Sequence, residues 1–259
     1  MITLKCFDAK ESSNPNSSRQ SYGNNRYSQS NIDQWLNSQA ASWYSARHSY
    51  DAPPNNANVW SNYNEYDTEA GFLSNFEADF RKAILDAVIR VAKNTVTDGG
   101  GYEDITRKVF LLSNTEVGLS NENGVAEGTL WSYFSSAARR QCYPTAEAVS
   151  NSEYTSSSLN ASSYWWWWLR TPYAGSAYRA RGVFADGSLY NLDAYYGYRG
   201  VRPAFFVESG ITLSVEPDQV ELSTSALLAE FTSKQLVEEV LRRIAEGQED
   251  GDDDEEDDF

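Results

Sequence analysis

His48 is the one histidine in the chain, so a serine or cysteine triad would have to be built around it. It lies in the Tyr- and Trp-rich stretch 43–50, where a lone imidazole reads as a structural group. Cys6 and Cys142 make neither a disulfide framework nor a metal-binding spacing, and they read as two buried reduced thiols. The patterns HExxH, DxDxDG, GxxxxGK[ST] and GxSxG are absent, which leaves zinc, EF-hand calcium, P-loop and hydrolase-elbow chemistry without support. Asp186-Gly187-Ser188 reads as a hairpin turn, and Asp186 with Asp193 does not make a calcium site. Arg170, Arg179, Arg181, Arg199 and Arg202 cluster, as a carboxylate- or phosphate-binding group would require. They also suit loop fixing through backbone carbonyls and acids. No catalytic residue, metal or cofactor is expected.

A different chemistry is concentrated between Trp168 and Gly200. Four consecutive tryptophans, Trp165 to Trp168, precede this span, and Gly200-Val201-Arg202-Pro203 with an apolar run to Val207 closes it. Inside it are six tyrosines with Gly, Ala, Ser, Asn and Asp, and no Lys or Glu. Short apolar runs bounded by turn formers predict buried strands. Tyr supplies a large, rigid, amphipathic contact area, and Ser, Gly and Asn supply adaptable hydrogen bonds, the composition of antibody contact loops. The span therefore reads as a recognition surface held between two core strands. Alternation along the Trp strand sends two of the four indoles into the core and leaves two for the long loops to cover.

The elements that must position this surface are less regular. Residues 1–7 suit a short strand, and 11–30, rich in Ser, Asn and Gln, read as a surface loop. Ser30-Asn31 caps a predicted helix over 32–44 that buries Trp35, Leu36 and Trp43. Residues 45–71 read as loop, pinned by Tyr50, Trp60, Tyr63 and Tyr66. Apolar residues at three- and four-residue steps predict a helix over 73–86, followed by strands at 87–96 and 109–112 and a short helix at 131–138. Residues 145–163 read as loop. A strand over 211–222 and an amphipathic helix over 227–244 form an appendage at 209–247. Nine of the last eleven residues are acidic and supply more than half of the formal charge of −16. That tail, 248–259, is expected to be disordered.

Hydrophobic content of 41% indicates a folded chain, and its acidity argues against a nucleic-acid-binding surface. No run of about 18 apolar residues is present, so no membrane insertion is expected. The N-terminus lacks the apolar core of a secretory signal.

The motifs GNNRYSQSNIDQWLNS (23–38), WYSARHSYDAPP (43–54), GFLSNF (71–76), KVFLLSNTEVG (108–118), WWLRTP (167–172) and GVRPAF (200–205) resemble an uncharacterised family. Its members are common in bacteriophages and gut bacteria, and the resemblance covers about residues 6–208. Members show strand-like sequence before the equivalent of Cys6, so the chain reads as beginning inside the pattern. The C-terminal half of that family is similar to the C-type-lectin-like fold of sulfatase-modifying enzymes and retroelement-diversified variable proteins. The resemblance implies an α+β, C-type-lectin-like domain over 1–208 with long irregular loops, in which the Trp-Arg and Gly-Val-Arg-Pro elements are core strands and their Arg170 and Arg202 are structural. It also implies a variable, ligand-contacting segment at 173–198, made of Tyr173, Ala174, Gly175, Ser176, Ala177, Tyr178, Tyr190, Asn191, Asp193, Tyr195, Tyr196, Gly197 and Tyr198. The sulfatase-modifying enzymes use a close pair of cysteines late in the fold. Here Cys6 lies at the other end of the chain, so that oxidative chemistry is not expected.

The function so implied is non-catalytic recognition of a host surface protein or glycan, by a phage-borne or surface-displayed variable protein. The competing readings are an enzyme of the sulfatase-modifying type with altered chemistry, and a structural virion component. The C-terminal helix is the expected route to any oligomer.

Overall fold

The computed structural model describes residues 1–208. The expected appendage at 209–247 and the acidic tail lie outside the described residues. In chain order the elements are strand β1 (Thr3–Lys5), helices α1 (Ser17–Tyr22), α2 (Asn31–Leu36) and α3 (Ala78–Ala83), and strands β2 (Ala87–Ala92), β3 (Tyr102–Arg107) and β4 (Val109–Leu111). Helices α4 (Ala137–Arg140) and α5 (Ala146–Ser150) follow. Strands β5 (Trp167–Pro172), β6 (Arg179–Val183), β7 (Leu189–Asp193), β8 (Arg199–Val201) and β9 (Pro203–Phe205) come last. This is a mixed α+β domain with several short helices and small sheets.

The main sheet runs β1-β8-β5-β6-β7, antiparallel except where β5 meets β8 in parallel at Trp167 and Gly200. The first strand of the domain thus pairs with one of its last. A β2–β3 hairpin and a β4–β9 pair make two further small sheets. The helices have four to six residues, far below the length at which a helix stands alone in water. Caps and packing hold them: the Ser30 side chain accepts the Asp33 N–H at the start of α2, and Thr145 does the same for Ala148 in α5.

Strand β5 is buried along its whole length. Three of the four consecutive tryptophans are in the core, Trp165, Trp167 and Trp168, where alternation predicts two. The difference arises because β5 starts only at Trp167 and has both of its faces covered. Each buried indole N–H still finds a carbonyl: Trp165 on Tyr198, Trp167 on Arg140 and Trp168 on Lys5.

Several loop expectations are corrected. Residues 11–30 carry α1 and a 3₁₀ turn, Tyr27–Gln29, and Asn24 and Asn25 are completely buried. Their amides are hydrogen-bonded, which removes the penalty for burying them. The predicted helix over 32–44 stops at Leu36, although Trp35, Leu36 and Trp43 are buried as expected. The predicted helix over 73–86 breaks into a 3₁₀ turn, Phe72–Asn75, and α3, because Ile84 and Leu85 are drawn into extended pairing with Val207 and Phe206. The strand predicted to Val96 ends at Ala92, where Asn94 turns the chain by accepting the Val96 and Thr97 N–H groups. The helix predicted over 131–138 is a 3₁₀ turn, Ser132–Phe134, followed by α4. Strand β3 is a polar alternating strand that hydrophobic patterning alone passes over.

Arg170, expected to be structural, has no exposed surface. It forks onto Glu116 at 2.5 and 3.0 Å and donates to the carbonyls of Arg90, Leu111 and Glu127. Removing one partner of such a pair strands the other charge, so Arg170→Met should lower unfolding free energy by about 3–5 kcal/mol in chemical denaturation. A second buried charge behaves differently. Asp8 accepts N–H groups from Asn24 and Asn31, but burial, then Glu11 and Asp51, hold its carboxyl well above the ordinary value of 3.8. Its protonated form is therefore favoured by folding, and stability is lost as pH rises from the ordinary value through the raised one. Asp8→Asn removes that dependence. The stability of the variant relative to the unaltered protein should improve as pH rises above about 4, measured by thermal melts across pH.

Candidate ligand-binding face

Five of the six tyrosines of the central segment come together. Tyr178 contacts Tyr22 (ring centres 4.9 Å apart), Tyr22 contacts Tyr195 (5.6 Å), and Tyr195 contacts Tyr196 (4.9 Å). Tyr196 touches Tyr198 and Trp60, at 5.2 and 5.1 Å. Tyr198 stacks on Tyr154 at 4.6 Å, and Tyr154 meets Tyr63. Tyr190 joins through Trp166 and Phe184, at 5.5 and 4.3 Å. Tyr22 is exposed and the other tyrosines, with Trp60 and Trp166, are half-buried. Tyr173 stands apart beneath the Arg181 guanidinium, 4.5 Å from its ring centre.

The remaining predicted contact residues divide by position. Gly175 is exposed, Ala174, Asn191 and Asp193 are half-buried, and Ser176, Ala177 and Gly197 are buried. Asp193 is occupied by Arg179 at 3.0 Å. Much of the segment is regular, since β6 and β7 form a hairpin of the main sheet. Its turn is the expected one, with Gly187 in the left-handed region (φ 83°) and Asp186 accepting the Ser188 N–H.

The two irregular parts of the segment are clamped from outside. In 173–178, Asn25 donates to the carbonyls of Ser176 and Arg179, Arg19 Nε donates to Ala177, and Thr95 donates to Ala174. Arg19 is locked by a buried ion pair with Asp98 at 2.7 Å. In 194–198, the Ala194 carbonyl accepts from Phe7 and Asp8, Trp60 N–H donates to Tyr195, and Asn64 donates to Gly197. Burial pushes the phenols of Tyr195, Tyr196 and Tyr198 up, Tyr198 to about 12. They stay protonated at neutral pH and can donate hydrogen bonds to a ligand.

Tyr22, Tyr63 and Tyr154 were outside the sequence-predicted site, as were Trp60 and Trp166. The available signal was the presence of large rings in stretches too polar to bury them fully. Arg179 and Arg181 are paired with Asp193 and Glu122, the structural role weighed for them. His48 faces Glu11 at 3.1 Å within the loop scaffold. A cleft of about 300 Å³ beside Lys5, Glu69 and Asn151, and another of about 320 Å³ beside Arg47 and Arg107, are lined by none of these rings. Among the described residues no group of three or more His, Cys, Asp or Glu is arranged to hold a metal ion.

A family profile described as a domain of unknown function (DUF6273) matches residues 3–209. The chain belongs to this family. The DUF6273 span runs from β1 through β9, so the family domain and the described fold coincide. No curated protein and no solved structure matches the chain.

Gly197 sets a steric limit on the face. A Cβ built there would lie 2.0 Å from the Tyr63 carbonyl oxygen, which is itself tied into the backbone. Gly197→Ala should therefore destabilise the protein by at least about 1–3 kcal/mol, as overpacking does. Tyr178→Ser should cost less, and thermal melts of the two variants side by side would show the order.

Proposed function

We propose that this DUF6273 domain is a non-catalytic recognition protein that grips a host surface glycan or protein through the Tyr22–Tyr178–Tyr195–Tyr196–Tyr198–Trp60 face. The observation that carries the reading is the continuity of that face: rings in contact, half-exposed, and mounted on backbone fixed by buried hydrogen bonds. Such a surface loses little conformational entropy on binding, which is what makes rigid aromatic residues effective anchors. The phenols of Tyr195, Tyr196 and Tyr198, which burial pushes up, remain neutral donors at physiological pH, which suits ligand contact better than proton abstraction. The C-type-lectin-like reading is supported by the pairing of β1 with β8 and by the Trp-Arg strand lying beside the Gly-Val-Arg strand. On this reading the protein is displayed on a phage particle or cell surface and its contact residues are diversified by a retroelement.

The steric layout says which positions can vary. Tyr173, Tyr178, Tyr195 and Tyr196 have open sides, whereas Ser176, Ala177 and Gly197 are enclosed. Substitutions among close relatives should collect at the first group and spare the second; an even spread would remove the case for diversification. Binding itself is tested by applying the full-length protein to arrays of surface glycans and host surface proteins. The Tyr178→Ser/Tyr196→Ser variant is applied in parallel. The unaltered chain should retain at least one ligand, and the variant should bind about tenfold more weakly or worse with its fold unchanged, as loss of two aromatic anchors implies. Equal binding by both proteins would place recognition elsewhere.

A further inference from the structure

Arg199 opens β8 beneath the rings of this face and is 3% exposed. Its guanidinium carbon lies 3.7 Å from the centre of the Trp166 ring, 4.2 Å from that of Tyr198 and 5.9 Å from that of Tyr190. Aromatic faces attract a cation placed over them, and the attraction strengthens when water is excluded. That attraction acts on the flat sides of the guanidinium and leaves its N–H edge unmet. Nε and Nη1 are buried and have no hydrogen-bond partner in the protein, while Tyr190 supplies a side-chain hydrogen bond to the group.

Two of the other buried arginines, Arg170 and Arg19, are treated otherwise. Arg170 spends its donors on Glu116 and three carbonyls, and Arg19 on Asp98 and the Ala177 carbonyl. The acid on the neighbouring strand, Asp193, already belongs to Arg179. Arg199 is therefore a buried cation with unmet donors, in contact with two tyrosines of the candidate face. Burial lowers its pKa to about 10, which leaves it charged at neutral pH.

Taking the aromatic face as the binding surface, we infer that the ring-lined seat around Arg199 receives the carboxylate of an acidic sugar. The guanidinium fork matches a carboxylate in shape and charge, and such charge-assisted pairs are the stronger class of hydrogen bond. Trp166, Tyr190 and Tyr198 are half-buried, and entry of the carboxylate requires one of these rings to turn aside from the N–H edge. The neighbouring rings of Tyr196 and Trp60 then offer apolar surface to the sugar itself. A saccharide fits this row of rings better than an acidic peptide loop, which would leave its backbone amides against them without partners. The chain's formal charge of −16 opposes an anion only at long range, because physiological salt screens charges beyond about 8 Å. Inside that distance Arg199 dominates.

The test uses the full-length protein on an array of sialylated and uronic-acid glycans, each beside its methyl ester, with acidic peptides on the same array. The acid forms should bind about tenfold tighter than the esters, the preference expected of a charge-assisted pair, and the gap should narrow as salt is raised. Arg199→Lys keeps the charge and loses the fork. It should narrow the acid-to-ester gap without abolishing it, because an ammonium still attracts a carboxylate but does not meet both of its oxygens. If that variant does not fold, the acid-to-ester comparison on the unaltered protein still decides. Equal binding of acid and ester overturns the carboxylate seat and leaves the aromatic face standing. Retention of acidic peptides with no glycan bound overturns the sugar assignment, and no retention on any surface overturns both readings.

Discussion

Arg170 has no contact with water, and its charge has to be met inside the protein. A buried guanidinium whose partners are missing costs several kcal/mol, so the segments that surround it are placed by that requirement. Its donors reach β2 through Arg90, β4 through Leu111, and the 113–128 loop through Glu116 and Glu127. One side chain on the central strand thereby ties three separate parts of the chain to the main sheet. Glu127 extends the arrangement by accepting from Ala92, Asn121 and Thr171. A domain with this little regular secondary structure depends on such connected polar networks for its rigidity.

The sequence was legible where burial is carried by apolar periodicity or by composition. The strands at both ends of the central segment, the Ser30 cap and the 186–188 turn follow from residue type and spacing, and the structural role of Arg170 from the family motif that carries it. The loops were read as irregular and superficial, but 11–30 and 145–163 carry α1 and α5, and several of the loop asparagines are buried. Asn24, Asn25, Asn94 and Asn114 are completely buried. Their amides take over the pairing that a helix or strand would provide, as when Asn24 and Asn94 each accept from the backbone two residues on. A count of polar residues cannot separate an asparagine facing water from one that replaces a ladder hydrogen bond. Aromatic periodicity was similarly blind to the candidate face, because Tyr22, Trp60 and Tyr154 come from three distant loops. Only the fold brings them beside Tyr195 and Tyr198.

The face and its support divide the labour between two kinds of interaction. Ring contacts at 4.6 to 5.6 Å, as between Tyr154 and Tyr198 or Tyr22 and Tyr195, are individually weak and tolerant of side-chain exchange. The backbone beneath them is held by short, buried hydrogen bonds such as Asn25 to Ser176 at 2.7 Å and Asn64 to Gly197 at 2.7 Å. Side chains on the solvent side can therefore change with little effect on the path of the chain. Enclosed positions cannot, because their neighbours are main-chain atoms.

The pairing of Thr3–Lys5 with Arg199–Val201 has a kinetic side. Nearly two hundred residues separate the partners, and closing so large a loop delays the contact that rewards it. During synthesis the edge of the Trp strand that will receive Gly200 stays open until the end of the domain has left the ribosome. Until then the nascent chain presents an unpaired, tryptophan-rich edge.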